Sequence, residues 1–271
     1  MRNLQSSAQT PLIPIFIAVI FASMRLDWLL PNVKGIPVLM YHRIWPGQQD
    51  GLTITPEQLR EQWTWLKNAG YEAISMQDFL SVAAGKTIAP PKAVLLTFDD
   101  GYANNLTYVY PLLREFNWQA TIFIIAGTLD ATVKATDETL NQYLTVTELR
   151  SMDPKYIQFG LHGYQHENFS KFNAAELKKV MEQSFTAFQK ADVEVVPVLA
   201  YPYGARPDTL IINEVKNYFR ELGLKAAFRI GNKPEKTPSA DIFEIKRIDI
   251  RGEDSLEDFK IKLKKGKLKP F

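Results

Sequence analysis

Short apolar segments alternate with longer amphipathic ones from Gly35 almost to the end of the chain. This alternation is typical of a parallel β-sheet whose two faces are covered by helices. About seven such units suit a closed or nearly closed barrel better than a small open sheet. The sequence therefore predicts an α/β barrel in a single domain. The predicted strands cover residues 36–41, 93–98, 120–125, 156–161, 195–201, 226–230 and 244–250.

Helix signals fill the intervals between these strands. Thr55 and Pro56 provide an N-cap and a proline at the first helical position, and the helix they begin is predicted to end at Gly70. The longest amphipathic helix, 174–190, carries its apolar side chains on one stripe. Further helices are predicted over residues 76–84, 104–116, 145–152 and 207–222.

Composition limits the partners and the chemistry of this chain. The formal net charge of +2 is too small to favour a nucleic acid as partner. The absence of cysteine excludes disulfides, a thiol nucleophile, a lipid-modified cysteine and cysteine-type zinc sites. Any protein ligands of a metal must therefore be histidines or carboxylates.

The N-terminal segment predicts export. Leu12 to Met24 is an apolar run that follows Arg2 and contains no acidic residue. It has the length of a signal-type hydrophobic region and is shorter than the ~20 residues of a comfortable membrane span. Because no clear small-residue cleavage site follows, we expect residues 1–30 to be a signal peptide or a membrane anchor. The folded domain, 31–271, would then lie outside the cytoplasm; a buried N-terminal helix is the alternative.

Carboxylate and imidazole side chains follow two of the predicted strands. Asp99 and Asp100 come directly after a buried apolar strand, and His162 and His166 follow the strand 156–161. Reactive residues of α/β barrels collect at the carboxyl ends of the strands, so these side chains are expected to meet. One carboxylate can bind a metal while its neighbour activates water. Two histidines, a carboxylate and an open position are typical of a catalytic metal site.

Each of these motifs alone also has an ordinary structural explanation. An Asp-Asp-Gly sequence is often only a turn, and two histidines four residues apart are often unrelated surface residues. The position of both pairs after buried strands favours the metal site, because a buried carboxylate without a partner is costly. Five aromatic residues near the motifs could stack on the ring of a ligand, although core packing explains each of them equally well: Tyr41, Trp45, Tyr102, Tyr164 and Tyr201.

Three motifs, in this order, resemble those of the polysaccharide deacetylases (carbohydrate esterase family 4, the NodB homology domain). They are Thr97-Phe-Asp-Asp-Gly101, His162-x-x-x-His166 and Ala200-Tyr-Pro-Tyr-Gly204. The opening segment Val38-Leu-Met-Tyr-His-Arg43 is similar to the subgroup of poly-β-1,6-N-acetylglucosamine deacetylases of biofilm formation. The resemblance spans residues 35–250 and implies a distorted (β/α)7 barrel that hydrolyses N-acetyl groups.

The resemblance also implies roles for individual residues. Asp99 is expected to be the general base that activates water, and the backbone N–H of Tyr102 to help stabilise the oxyanion. Tyr203 is expected to line the sugar-binding groove. The implied cofactor is a divalent metal, zinc first, with nickel and cobalt as alternatives. Its expected ligands are Asp100, His162 and His166.

The chain departs from the family pattern at three places. Gly163 stands where many members have Ser or Thr. Many members use a late histidine as the general acid, but no histidine follows His166. In the biofilm subgroup an N-terminal histidine takes this role, and His42 fits that position; a structural histidine at a strand end is the alternative. The arginine that orients the base is open between Arg247 and Arg43, and either could instead be an exposed arginine.

The sequence thus predicts an exported, metal-dependent hydrolase of linear amides, with residues 31–271 as the deacetylase domain. Its expected partner is an N-acetylglucosamine polysaccharide of the β-1,6-linked type, from which it would release acetate. Peptidoglycan, chitin oligomers or acetylated xylan are the alternative substrates. A catalytically silent glycan-binding domain is the alternative from another class; the intact base and ligand positions argue against it.

Overall fold

The computed structural model describes two stretches of the chain, residues 31–129 and 140–266. The predicted signal or anchor segment, 1–30, lies outside the described residues. Within them, no helix is both long and apolar enough to cross a membrane.

Parallel strands form a closed barrel. The described strands are β1 (Val38–Tyr41), β2 (Arg43–Ile44), β3 (Thr53–Ile54), β4 (Glu72–Ala73), β5 (Ala93–Phe98), β6 (Ala120–Ile124), β7 (Ile157–Leu161), β8 (Val198–Ala200), β9 (Ala226–Ile230) and β10 (Ile245–Asp249). Around the barrel the order is β1, β5, β6, β7, β8, β9 and β10, and β10 pairs back onto β1. The prediction of a distorted (β/α)7 barrel is confirmed.

The two-residue strands extend or flank this barrel. β4 pairs with the start of β5, at Ala93 and Val94, whereas β1 pairs with the rest of β5 from Leu95 on. β4 therefore continues the same side of the barrel towards its amino end. β2 and β3 form a separate pair just beyond β1. All three are too short to give a periodic signal in the sequence.

Helices cover the outside of the barrel and one of its ends. They are α1 (Pro56–Asn68), α2 (Met76–Ala83), α3 (Tyr110–Phe116), α4 (Val146–Ser151), α5 (Ala174–Ala191), α6 (Ile212–Glu221) and α7 (Leu256–Lys265). Helices α1, α4, α5 and α7 each begin with a capping box, in which the N-cap and N3 side chains satisfy each other's backbone N–H groups. Such caps fix where each helix begins and hence where the preceding loop ends.

Helix α2 closes the amino end of the barrel. Its apolar side chains belong to the same buried cluster as Leu95, Phe123 and Phe228 of three barrel strands. The rings of Phe79 and Phe228 lie 5.8 Å apart, and those of Phe123 and Phe228 lie 5.5 Å apart. The barrel interior is therefore apolar at this end, and its polar side chains collect at the carboxyl ends of the strands, which we call the mouth.

Candidate active site

The carboxylate of Asp99 is held by a buried arginine from the other end of the domain sequence. Asp99 follows β5 directly, and Arg247 lies on β10 with a fully buried side chain. Arg247 donates from Nη1 to Oδ1 of Asp99 at 2.6 Å and from Nη2 to Oδ2 at 2.7 Å. This two-bond geometry fixes the plane of the carboxylate.

Of the two arginines that the sequence left open, only Arg247 contacts Asp99. Arg43 instead donates from Nη1 to Oδ1 of Asn141 at 2.7 Å and approaches Asp50 at 3.5 Å. Its guanidinium also lies 5.7 Å from the ring centroid of Tyr102. Arg43 therefore connects the β2 region to the segment beyond residue 140.

Asp99 is ionised at neutral pH in spite of its burial. Burial by itself would raise the pKa of the carboxyl group, but its polar surroundings, led by the positive charge of Arg247, outweigh that effect and hold the pKa below its usual range. Each oxygen retains a lone pair after bonding to Arg247. Asp99 can therefore still accept a proton or a hydrogen bond at the mouth.

Asp100, His162 and His166 form a compact group of potential metal ligands. Oδ1 of Asp100 lies 3.3 Å from Nε2 of His162 and 3.4 Å from Nε2 of His166. One ligand atom from each residue lies within 4.8 Å of the others. Nδ1 of His162 is 2.9 Å from the carbonyl oxygen of Ala200, so that as donor it leaves the Nε2 lone pair free.

The residues present fit a divalent metal. Oδ1 of Asp100 is buried and has no hydrogen-bond partner among the described residues. Two imidazoles and one carboxylate form a donor set typical of zinc, with room for a further ligand. Burial opposes ionisation of Asp100, but the neighbouring His162 holds its pKa well below the usual range. The carboxylate is therefore in the form that binds a cation.

A left-handed turn lets the two adjacent aspartates face different partners. Asp100 has φ 74° and Gly101 has φ 81°, a backbone region that non-glycine residues seldom occupy. A Cβ atom on Gly101 would lie 2.8 Å from Cδ1 of Ile124, which also favours glycine at this position. The turn directs Asp99 towards Arg247 and Asp100 towards the histidines.

Glu167 steadies the loop that carries the two histidines. Its carboxylate accepts the backbone N–H groups of Tyr164 at 3.0 Å and Gln165 at 2.9 Å. Gly163 has φ 75°, and a Cβ atom there would lie 2.7 Å from Oε2 of Glu167. Glycine at position 163, where many family members have Ser or Thr, therefore leaves room for the Glu167 carboxylate to bond this loop. No sequence motif marks Glu167, so its role becomes visible only in the folded domain.

Glu167→Ala is expected to lower metal affinity by about 10- to 100-fold, because partners that orient metal ligands contribute on that scale. Titration of the chelator-treated protein with zinc measures the effect. Glu194→Ala, which removes an exposed carboxylate elsewhere, is the matched control. Equal zinc affinity in both variants would exclude a positioning role for Glu167.

His42 lies beside the Asp99 carboxylate and approaches the same oxygen as His162 of the histidine pair. Nε2 of His42 and Nε2 of His162 are each 3.9 Å from Oδ2 of Asp99. Two asparagines at the start of a π-helical turn hold the His42 segment: Asn105 donates to the carbonyl oxygen of His42 at 3.0 Å, and Asn104 accepts the N–H of Ile44 at 3.0 Å. No sequence motif includes these asparagines, although they lie only three and four residues after Gly101.

Asp249 is a further acidic residue beside His42 that the sequence analysis missed. It ends β10 and is in register with Met40 of β1, two residues before His42. Burial raises the pKa of Asp249, while the charges of His42 and Lys262 act against that rise. Its position at a strand end was the one available signal.

Aromatic side chains border the mouth. The rings of Tyr102 and Tyr143 stack with centroids 5.4 Å apart. An antiparallel bridge joins the backbone of Tyr102 and Tyr143, and its hydrogen bonds are donated by the N–H groups of Ala103 and Leu144. The N–H of Tyr102 takes no part in this bridge. Tyr203 is 63% exposed, and its ring centroid lies 4.3 Å from that of His166.

Two of the aromatic residues considered from the sequence are not available to a sugar. Tyr41 and Tyr201 are buried in the core. The hydroxyl of Tyr41 donates to Gln62 and that of Tyr201 to the carbonyl oxygen of Phe243. The stacking hypothesis is wrong for both, because each ring faces inward between the sheet and the helices.

Comparison with known proteins identifies the family. A family model described as polysaccharide deacetylase matches residues 86–227, just over half of the chain. The chain belongs to this family. The matched range contains Asp99, Asp100, His162 and His166, whereas His42 and Arg247 lie outside it. The recognition made from the three motifs is confirmed, and so is the enzyme class at the level of the family.

Curated relatives of this chain are also named as deacetylases. A Bacillus subtilis (strain 168) protein named as a polysaccharide deacetylase, YxkH, is 24% identical over 217 residues, which cover 76% of this chain and 74% of the relative. An Escherichia coli (strain K12) poly-beta-1,6-N-acetyl-D-glucosamine N-deacetylase is 25% identical over 265 residues. That match covers 83% of this chain but only 38% of the relative.

Solved structures support the fold. A deacetylase from Streptococcus pyogenes, PplD, in complex with acetate, superposes with a TM-score of 0.69 at 22% identity. The superposition covers 86% of this chain and 99% of that one. The likeness extends over nearly the whole described domain and so agrees with the barrel described above.

Proposed function

We propose that this chain is a metal-dependent N-deacetylase of a β-1,6-linked N-acetylglucosamine polysaccharide. The observation that carries the proposal is the position of the Asp99 carboxylate. Arg247 bonds both of its oxygens, the Asp100–His162–His166 group lies next to it, and Nε2 of His42 is 3.9 Å from its Oδ2. A base, a metal site and a candidate acid are thus arranged around one point at the mouth.

Asp100, His162 and His166 would hold the metal. A divalent ion bound there would supply Lewis-acid polarisation of the acetamide carbonyl and lower the pKa of water. We expect zinc, with nickel and cobalt as alternatives, because the donor set is two imidazoles and one carboxylate.

The chain's own groups can move the two protons that amide hydrolysis requires. Asp99, ionised and oriented by Arg247, takes a proton from the attacking water as the water oxygen bonds to the acetyl carbon. The N–H of Tyr102, which has no hydrogen-bond partner among the described residues, is suited to stabilise the negative oxygen that develops. His42 then donates a proton to the sugar nitrogen as the carbon–nitrogen bond breaks. The products are acetate and a free amine on the polymer.

The acid role of His42 predicts a dependence on the leaving group. His42→Gln is expected to lower acetate release from N-acetylglucosamine oligomers by about 10²–10⁴-fold, because an amine must be protonated to leave. Hydrolysis of an aryl acetate should fall much less, since a phenolate leaves without a proton. A comparison of the two rates, with Asp99→Asn as a control that loses both, tests the role. Equal losses on both substrates would contradict it.

The choice of sugar rests on the relatives and on the shape of the mouth. The Escherichia coli relative is named for a β-1,6-linked polymer. Exposed Tyr203, next to His166, offers a flat surface on which a sugar ring can stack beside the metal site. We propose that the polymer lies across this ring with one acetamide directed to Asp99.

A substrate panel tests this choice. The full chain, loaded with zinc, is expected to release acetate fastest from β-1,6-linked N-acetylglucosamine oligomers. Chitin oligomers, peptidoglycan fragments and acetylated xylan are the comparisons. A higher kcat/KM on any of these would assign the deacetylase to that polymer instead. Metal binding without acetate release from any of them would favour the silent glycan-binding alternative.

We further propose that the domain works outside the cytoplasm, either released or attached by residues 1–30 to the outer side of the membrane. The proposal rests on the apolar run after Arg2. It also suits a polysaccharide partner that is too large to enter the cell. Fractionation of cells that express the full chain would place the protein in the exported or membrane fraction; recovery in the cytoplasm would contradict the proposal.

A further inference from the structure

A cavity lies at the amino end of the barrel, away from the mouth. It has a volume of about 1020 Å³ and lies between α2, α6 and the loop before β10. Residues that precede strands line it, among them Pro197 before β8 and Lys225 before β9. The site at the mouth lies at the other ends of the same strands, roughly 15 Å away at ~3.3 Å per strand residue. We call this cavity the basal cleft.

Positive charge dominates the wall of the basal cleft. Its cations are Lys86, Lys216, Arg220 and Lys225, and its one carboxylate is that of Asp241. Asp241 is already bonded to Lys216, whose Nζ donates to it at 2.8 Å. The charge of Arg220 also acts on Asp241, whereas Lys86 and Lys225, on two separate elements, have no carboxylate partner on the wall.

Two of these cations make no contact that would account for their charge. Within the described part of the chain, the ammonium groups of Lys86 and Lys225 have neither an ion pair nor a hydrogen-bond partner. Arg220, by contrast, donates to Asn217 and lies over the ring of Phe243. A cation near a helix C-terminus can stabilise the helix dipole, but Arg220 already does so in the last turn of α6. Lys225 is therefore not needed to stabilise the dipole of α6.

We propose that the basal cleft binds an anion that carries several phosphate groups. The volume is at the upper end of the range for small-molecule sites and far exceeds what one phosphate needs. Cations spread over three elements match a ligand whose charges are spaced along it. Lysines and an arginine supply point-charge and fork-like donors for phosphate oxygens. Apolar Leu80 and Ile242 on the same wall would contact the uncharged part of such a ligand. The inference does not depend on deacetylation.

Calorimetric titration of the full chain with inorganic tripolyphosphate tests this proposal. The variant Lys86→Gln/Lys225→Gln is expected to bind at least about tenfold more weakly, the loss expected for one charged hydrogen bond. The matched control Lys171→Gln/Lys179→Gln removes the same charge from exposed positions elsewhere. Because phosphates also bind metals, the titration is repeated in Asp100→Ala. Acetate release by both lysine variants should equal that of the wild type.

Two further probes define the ligand. Hexaglutamate tests whether charge alone suffices, and vesicles of phosphatidylglycerol, compared with phosphatidylcholine, test whether the phosphate belongs to a lipid headgroup. Binding of tripolyphosphate or of phosphatidylglycerol that the basal-cleft variant loses and the control keeps would support the proposal and identify the source. No binding of either, equal binding in both lysine variants, or equally tight binding of hexaglutamate would overturn it.

Discussion

Asp99→Asn is expected to lower kcat/KM for acetate release by about 10²–10⁴-fold, the usual contribution of a positioned base. The amide has nearly the shape of the carboxylate but cannot take a proton from water. The metal content of the variant should stay at the wild-type level, because Asp99 is not among the three clustered ligand candidates. Steady-state acetate assays and metal analysis of the same sample provide both readouts.

The neighbouring residue supplies the matched control. Asp100→Asn makes the same chemical change one position later but removes a charged ligand candidate, so it should lower zinc affinity as well as rate. If Asp99→Asn lost metal and Asp100→Asn kept it, the two roles would have to be exchanged. If neither variant lost activity, the assignment of this site would be wrong.

Of these substitutions, Arg247→Gln is expected to lower the free energy of unfolding the most. Removal of one partner of a buried ion pair leaves an uncompensated charge, which costs about 3–5 kcal/mol of the free energy of unfolding. Because Arg247 lowers the pKa of Asp99, the pair's contribution to stability is complete above the ordinary carboxyl pKa near 4. That contribution is lost as the pH falls through the lowered pKa of the folded state. The destabilisation of the variant should therefore be large at pH 7 and shrink in acid.

The pH profile of activity separates a positioning role of Arg247 from a purely structural one. Without the guanidinium, the pKa of Asp99 rises, so the acidic limb of kcat/KM should move to higher pH. Arg247→Lys keeps a charge but not the two-bond geometry, and it should preserve the position of that limb better than Arg247→Gln. Unfolding in denaturant at several pH values gives the stability. An unchanged acidic limb in folded Arg247→Gln would contradict the assigned role.

The barrel itself was largely predictable, because its strands are apolar and bounded by turn residues. The predicted bounds of β5 (Ala93–Phe98) and β9 (Ala226–Ile230) agree with the structure. The predicted strand 195–201 shortens to Val198–Ala200, since Pro197 has no N–H to pair. The helix predicted from Pro207 begins only at Ile212, after a turn in which Asp208 accepts the N–H of Leu210.

Polar contacts across the barrel were much less predictable. Arg247 is 148 residues from Asp99, and strand periodicity alone cannot reveal that a strand arginine points inward. Glu167 acts through backbone N–H groups, which leave no pattern in the sequence. Asn105 bonds to His42 across 63 residues. Motifs marked the residues at the strand ends, whereas their supporting partners became visible only once the barrel had brought the strands together.

Acetate release by the full chain, before and after removal of divalent metal, tests the central claim most directly. β-1,6-linked N-acetylglucosamine oligomers are the substrate, and Asp99→Asn is assayed in parallel. Activity that disappears on chelation, returns with zinc, nickel or cobalt, and is absent in the variant is the predicted result. Acetate release that survives complete metal removal, or that Asp99→Asn retains at the wild-type rate, would contradict the proposed mechanism.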